Sequence, residues 1–189
     1  MTRDEAIRIL GAARWHLDAR VSFPLVWAIE HADHLAEAWA LTDEFTTMAR
    51  IKAYTMTRPD LVLALAAMAR AAVPSPYWQG AYEAAGLDAA ERWARGEMSL
   101  DALQRQCVSA GINSIPRAFA RLAAGAKPVW ASKPDIGELV MDTVASIADP
   151  LRPAGRTWGG AALLELANLM RAYFPPPTIV ELVESVERA

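Results

Sequence analysis

Two of the three histidines in this chain fall within one octapeptide, Glu30-His31-Ala32-Asp33-His34-Leu35-Ala36-Glu37; the third is His16. On a helix, Glu30, His34 and Glu37 recur at i, i+4 and i+7 and share a face, with Asp33 beside them and His31 one step round. Carboxylates and imidazoles ligate hard or borderline divalent metals. Glu30, His31, Asp33, His34 and Glu37 therefore form a candidate metal or ligand face, on which a helical-bundle enzyme could be built. Bundle metal sites draw ligands from facing helices. His16 alone could add an imidazole, and only if its helix packs on that face. The face lies opposite the apolar stripe, so a solvated surface with local ion pairs is the simpler reading.

A second constellation is acidic. Asp135, Glu138, Asp142 and Asp149 fall along one side of a helix expected over 135–148, away from Ile136, Val140 and Ile147. Paired-carboxylate catalysis would need a pocket around them, and nothing in the sequence predicts one. The choice is between a solvated face and an acidic surface that docks a basic partner, since complementary charge steers association.

Other chemistries lack their parts. Cys107 is the single cysteine, which excludes an intramolecular disulfide and a cysteine zinc cluster. It sits mid-helix with no histidine near in sequence, as a buried inert thiol would. There is no Gly-x-Ser-x-Gly and no phosphate-cradling glycine loop. Gly159-Gly160, after Thr157-Trp158, could offer N–H groups to an anion if Lys133, Arg152 and Arg156 converge there; close backbone approach is the plainer use. Aligning Gly111 with the glycine of a helix-turn-helix puts Gln106 and Arg117 at buried positions and Pro116 inside the recognition helix, a poor match.

The elements that would position these residues are helices throughout. Thr2 with Glu5 makes a capping box before Ile7, Leu10, Ala13 and Leu17. Leu25, Ile29, Ala32, Ala36 and Trp39 continue at helical spacing from a start near Pro24. Further helices are expected over 43–57, 61–73, 77–85 and 88–95 (split at Gly86), 99–110 ending at Gly111, 114–124, 135–148 and 157–174. Thr178 with Glu181 caps a last one. The prediction is an all-α multi-helix bundle of seven to ten helices. Segments 61–73 and 161–174, apolar nearly all round, are expected to be centrally buried. A single domain over 1–189 is expected, with breaks at 74–76 and 150–153.

Composition bounds the partners. The chain has 189 residues, 53% apolar and 22% charged, with 19 basic and 22 acidic side chains and a formal net charge of −3. A chain of that size folds without staples, and the charge balance offers no field for non-specific nucleic-acid binding. The longest apolar run, Leu61–Ala69, falls well short of the roughly 20 residues of a membrane span. The amphipathic start does not resemble a signal peptide. A cytoplasmic protein without membrane or cofactor is expected.

The segment Gly86–Leu103 carries a helix, the turn Trp93-Ala94-Arg95-Gly96-Glu97 and a following helix. It resembles the Ala-rich helical immunity proteins of bacterial toxin systems, over about a tenth of the chain. The resemblance implies a bacterial, non-enzymatic protein that binds and blocks a partner, and carries no functional residue over. The reading is therefore a helical protein–protein interaction module, immunity-like or regulatory, whose partner has a basic surface. The alternative is a metal- or ligand-binding bundle using the Glu30–Glu37 face.

Overall fold

The computed structural model describes residues 2–13, 19–73, 77, 81–108, 114–125, 135–151 and 160–188. Among them are eleven α-helices and no strand: α1 (Arg3–Ala13), α2 (Ala19–Glu30), α3 (Leu35–Leu41), α4 (Phe45–Thr55), α5 (Arg58–Ala72), α6 (Ala81–Ala94), α7 (Leu100–Cys107), α8 (Ile115–Ala124), α9 (Ile136–Ala148), α10 (Gly160–Tyr173) and α11 (Ile179–Arg188). A 3-10 turn, Asp149–Leu151, follows α9. The all-α expectation holds, and the count exceeds seven to ten. No helix among the described residues is long and apolar enough to cross a membrane.

Contacts divide the chain into two compact units, Met1–Met56 with Gly159–Ala189, and Thr57–Trp158. In the first, α1 packs on α2 and α11, and α4 packs on α2, α10 and α11. Leu10, Leu25, Met48, Ile51, Met170 and Phe174 are buried there. Trp39 is buried too, and its indole N–H donates to the Phe174 carbonyl at 3.2 Å, so the ring is covered without stranding its donor. In the second unit α6 packs on three helices, α5, α7 and α8, and α8 packs on four, α5, α6, α7 and α9. Leu65, Leu87, Phe119, Leu122, Val140 and Val144 are buried.

Caps set many of the boundaries. The Thr178 N–H donates to Glu181 Oε2 at 2.7 Å while the Glu181 N–H donates to Thr178 Oγ1 at 3.2 Å, the reciprocal box read from the sequence. The Ala102 N–H donates to Ser99 Oγ. Gly96, at φ +77°, closes α6 with the Glu97 N–H on the Arg92 carbonyl at 2.8 Å.

Three expectations are corrected. The helix expected to start near Pro24 and run through Trp39 is two: α2 begins earlier, holds Pro24 inside it, and stops at Glu30. Gly86 does not split 77–85 from 88–95 but lies within α6. A Cβ there would stand 2.5 Å from Pro116 Cβ and 2.9 Å from its Cγ, so glycine is the residue that lets α8 come this close. Segments 61–73 and 161–174 are not buried all round. Ala67, Arg70 and Ala71 of α5 are exposed, as are Leu164, Glu165, Asn168 and Ala172 of α10. Alanine has so little area that an alanine face tolerates water.

One buried cation stands apart. Lys52 of α4 is 3% exposed, with its Nζ 5.5 Å from the centre of a Trp39 ring. Burial lowers its pKa below the ordinary lysine range, and the charge on Glu181 offsets this in part. With the folded-state value below the unfolded one, folding carries a penalty at neutral pH. That penalty fades as pH rises from the folded value toward about 10.4. Lys52→Met is expected to stabilise the protein at pH 7 by on the order of 1 kcal/mol. The difference between variant and parent, followed by denaturant unfolding, should shrink as pH approaches 10. A gain that stays constant with pH would contradict the assignment.

Candidate functional site

The octapeptide that drew attention in the sequence builds the wall of a groove, by a route different from one continuous helix. After Glu30 the chain makes a turn over His31–His34. The His31 N–H reaches the Trp27 carbonyl at 3.2 Å, and His31 Nδ1 lies 2.7 Å from the same oxygen. The Ala32 and His34 N–H groups bond three residues back, to Ile29 and His31, which tightens the turn. His34 then leaves helical geometry (φ −143°, ψ 38°) and N-caps α3 through its backbone, its carbonyl accepting from the Ala38 N–H at 2.9 Å. Asp33 is exposed and ion-paired to Arg3 of α1, which ties the turn to the first helix. Leu35, Ala38 and Trp39 bury the inner face of α3.

Beyond α3 the chain reverses through Thr42, Asp43 and Glu44 into α4. The Glu44 N–H donates to Thr42 Oγ1 at 3.1 Å, and Thr47 Oγ1 donates to the Glu44 carboxylate at 3.0 Å. The Thr42 carbonyl accepts from Arg171 of α10, whose other amino group donates to Asn168.

Between the end of α2, the turn, α3 and this reversal lies an open groove of about 500 Å³. Among the described residues four carboxylates line it (Glu30, Glu37, Asp43 and Glu44), with His31 and His34 and no lysine or arginine. Trp27 and His31 stack with centroids 4.7 Å apart and planes 27° apart, and His34 meets His31 edge-on at 5.6 Å. Leu41 stands on the groove's lip with 76% of its surface exposed. The last-turn carbonyls of α2 point their partial negative charge toward this end of the helix. Glu30, His31, His34 and Glu37 thus line one groove, from two helices and the turn between them. Asp33 is turned away to Arg3, and His16 lies outside the described residues. Among the described residues no three His, Cys, Asp or Glu side chains are grouped to hold a metal.

The second acidic constellation is not a solvated face. Asp135 is 8% exposed and N-caps α9, accepting from the Gly137 and Glu138 N–H groups at 2.7 and 3.2 Å. Asp142 is ion-paired to Arg121 of α8, both side chains about one-seventh exposed. Glu138 is half-buried and Asp149 is exposed where the 3-10 turn begins. Two of the four carboxylates therefore serve the fold.

The remaining candidates are quiet. Cys107 is 2% exposed, and burial pushes its thiol up to about 11 despite the nearby Arg117 charge, so it is a poor nucleophile at neutral pH. It borders a small pocket of about 170 Å³ with Gln104, Arg117 and Arg121. Arg117 donates to the Val108 carbonyl at 3.2 Å, and Pro116 is buried in the first turn of α8. Gly111, Lys133, Arg152, Arg156 and Gly159 lie outside the described residues. Asp43 and Glu44 were missed as groove residues because only the broken helix brings them alongside Glu30 and Glu37; Trp27 and Leu41 were missed although helical spacing already places them beside His31 and Glu37. The run Leu41-Thr42-Asp43-Glu44, an apolar residue followed by two acids at a helix end, was the available signal.

Comparison with protein-family models, with curated proteins and with solved structures finds no match for this chain.

The Arg121–Asp142 pair separates the two acidic constellations experimentally. Asp142→Asn should destabilise the protein by about 1–3 kcal/mol, because it removes a counter-charge with which a mostly buried guanidinium is paired. Glu37→Gln, on the exposed groove wall, should stay within about 0.5 kcal/mol of the parent. Equal, small effects in urea unfolding would mean that Asp142 is not structural.

Proposed function

We propose that this chain is a non-enzymatic helical interaction module that binds a basic segment of a partner protein in the groove between α2, α3 and the start of α4. One observation carries the reading. Among the described residues, four carboxylates and no lysine or arginine line the groove, beside an exposed leucine at its lip. Such a surface repels acidic partners, steers basic ones, and offers an apolar contact once they arrive. The neighbouring cations are engaged elsewhere: Arg3 with Asp33, and Arg171 with Thr42 and Asn168. The groove takes the place of the α9 acids as the docking site, since Asp135 and Asp142 already have partners within the fold. An immunity-like or regulatory role, in which the bound partner is blocked, fits a module of this kind.

Affinity capture from the native host with the parent and with Glu30→Gln/Glu37→Gln tests the proposal. A partner with a basic surface should be retained by the parent, lost from the double variant, and released as salt is raised. A partner retained equally by both proteins, at low and high salt, would place the docking surface elsewhere.

A further inference from the structure

Within that reading of the groove, on which it rests, we infer that the group recognised is an arginine side chain rather than a lysine. The carboxylates alone would attract either. The groove adds an aromatic wall, in which the half-buried Trp27 indole and His31 imidazole stack at 4.7 Å and His34 stands edge-on beside them. A guanidinium is flat, weakly hydrated, and able to lie along rings while its N–H fork meets carboxylate oxygens. An ammonium is a compact, strongly hydrated charge that gains little from such a wall and loses more hydration on entering.

The carboxylates come from both sides of the turn: Glu30 closes α2, Glu37 lies in the first turn of α3, and Asp43 and Glu44 come from the reversal beyond it. A donor group with five N–H bonds in a fixed fork can engage acceptors arranged that way. At about 500 Å³ the groove has room for a guanidinium on its stem with flanking backbone, and Leu41 would cover the stem's methylenes. Two cations border the site, Arg3 through Asp33 and Arg171 through the Thr42 carbonyl, and neither side chain lines the groove.

The test uses the full chain and two fluorescein-labelled peptides of equal length and charge, one alternating arginine with alanine and one alternating lysine with alanine. Fluorescence anisotropy gives both affinities. The arginine peptide should bind about tenfold more tightly, a ratio of the size a desolvated cation–π contact supplies. Glu30→Gln/Glu37→Gln should weaken both peptides. Trp27→Leu should abolish the preference while leaving the charge-driven part, and Trp27→Phe should keep it. Helicity and melting temperature verify each fold, and should Trp27→Leu not fold, the comparison of parent with Trp27→Phe on both peptides still decides. Equal binding of the two peptides by the parent, lost in the glutamine variant, would overturn the arginine inference and leave the basic-partner reading standing. No binding of either peptide would overturn both.

Discussion

The turn at His31–His34 is the constraint from which the rest of the site follows. Had α2 continued, Glu30, His34 and Glu37 would form one straight ridge, and Asp43 and Glu44 would be carried away from them. The turn instead bends the chain between Glu30 and Leu35. The Trp27 carbonyl accepts from the His31 backbone N–H and lies 2.7 Å from His31 Nδ1, the Ala32 and His34 N–H groups close on the Ile29 and His31 carbonyls, and Asp33 is fastened to Arg3 of α1. Aspartate and histidine are weak helix formers, and an aspartate whose side chain is committed elsewhere does nothing to carry the helix on.

The two units handle charge differently. Around the groove, Glu30, Glu37 and Asp43 lie at the surface, where water stabilises them, and the bordering Arg3 and Arg171 are engaged with Asp33, Thr42 and Asn168. In the second unit charged groups are matched over distance, as in Arg121 with Asp142 and Arg70 with Asp88 and Glu91. Carboxylates already matched within the fold have little to offer a partner, which is why function is read from the first pattern and stability from the second.

What was legible in the sequence was local. The box at Thr178–Glu181, the cap at Ser99 and the glycine turn at Gly96 are local and are found in the structure, and at Thr2–Glu5 the Glu5 N–H donates to Thr2 Oγ1 at 3.3 Å. What was not legible depends on distant partners. Gly86 reads as a helix break until Pro116, thirty positions away, is known to press against it. Asp142 reads as solvent-facing until Arg121 on another helix reaches it. The apolar stripe Leu25, Ile29, Ala32, Ala36 and Trp39 does not tell one helix from two: in the broken arrangement Leu25 and Trp39 are buried, Ile29 and Ala32 half-buried and Ala36 exposed. The candidate residues of the groove were therefore found from their types, while their geometry was not.

The groove depends on that break, and the backbone of His34 tests it most directly. At φ −143° the residue has left the helical range, and its N–H donates to the His31 carbonyl at 3.0 Å. In solution NMR the three-bond amide-to-α-proton coupling of His34 should be large, as for an extended residue, between the small helical couplings of Ile29 and Ala38. A small, helical coupling at His34, with its amide bonded to the Glu30 carbonyl, would show α2 and α3 to be one helix and would remove the groove.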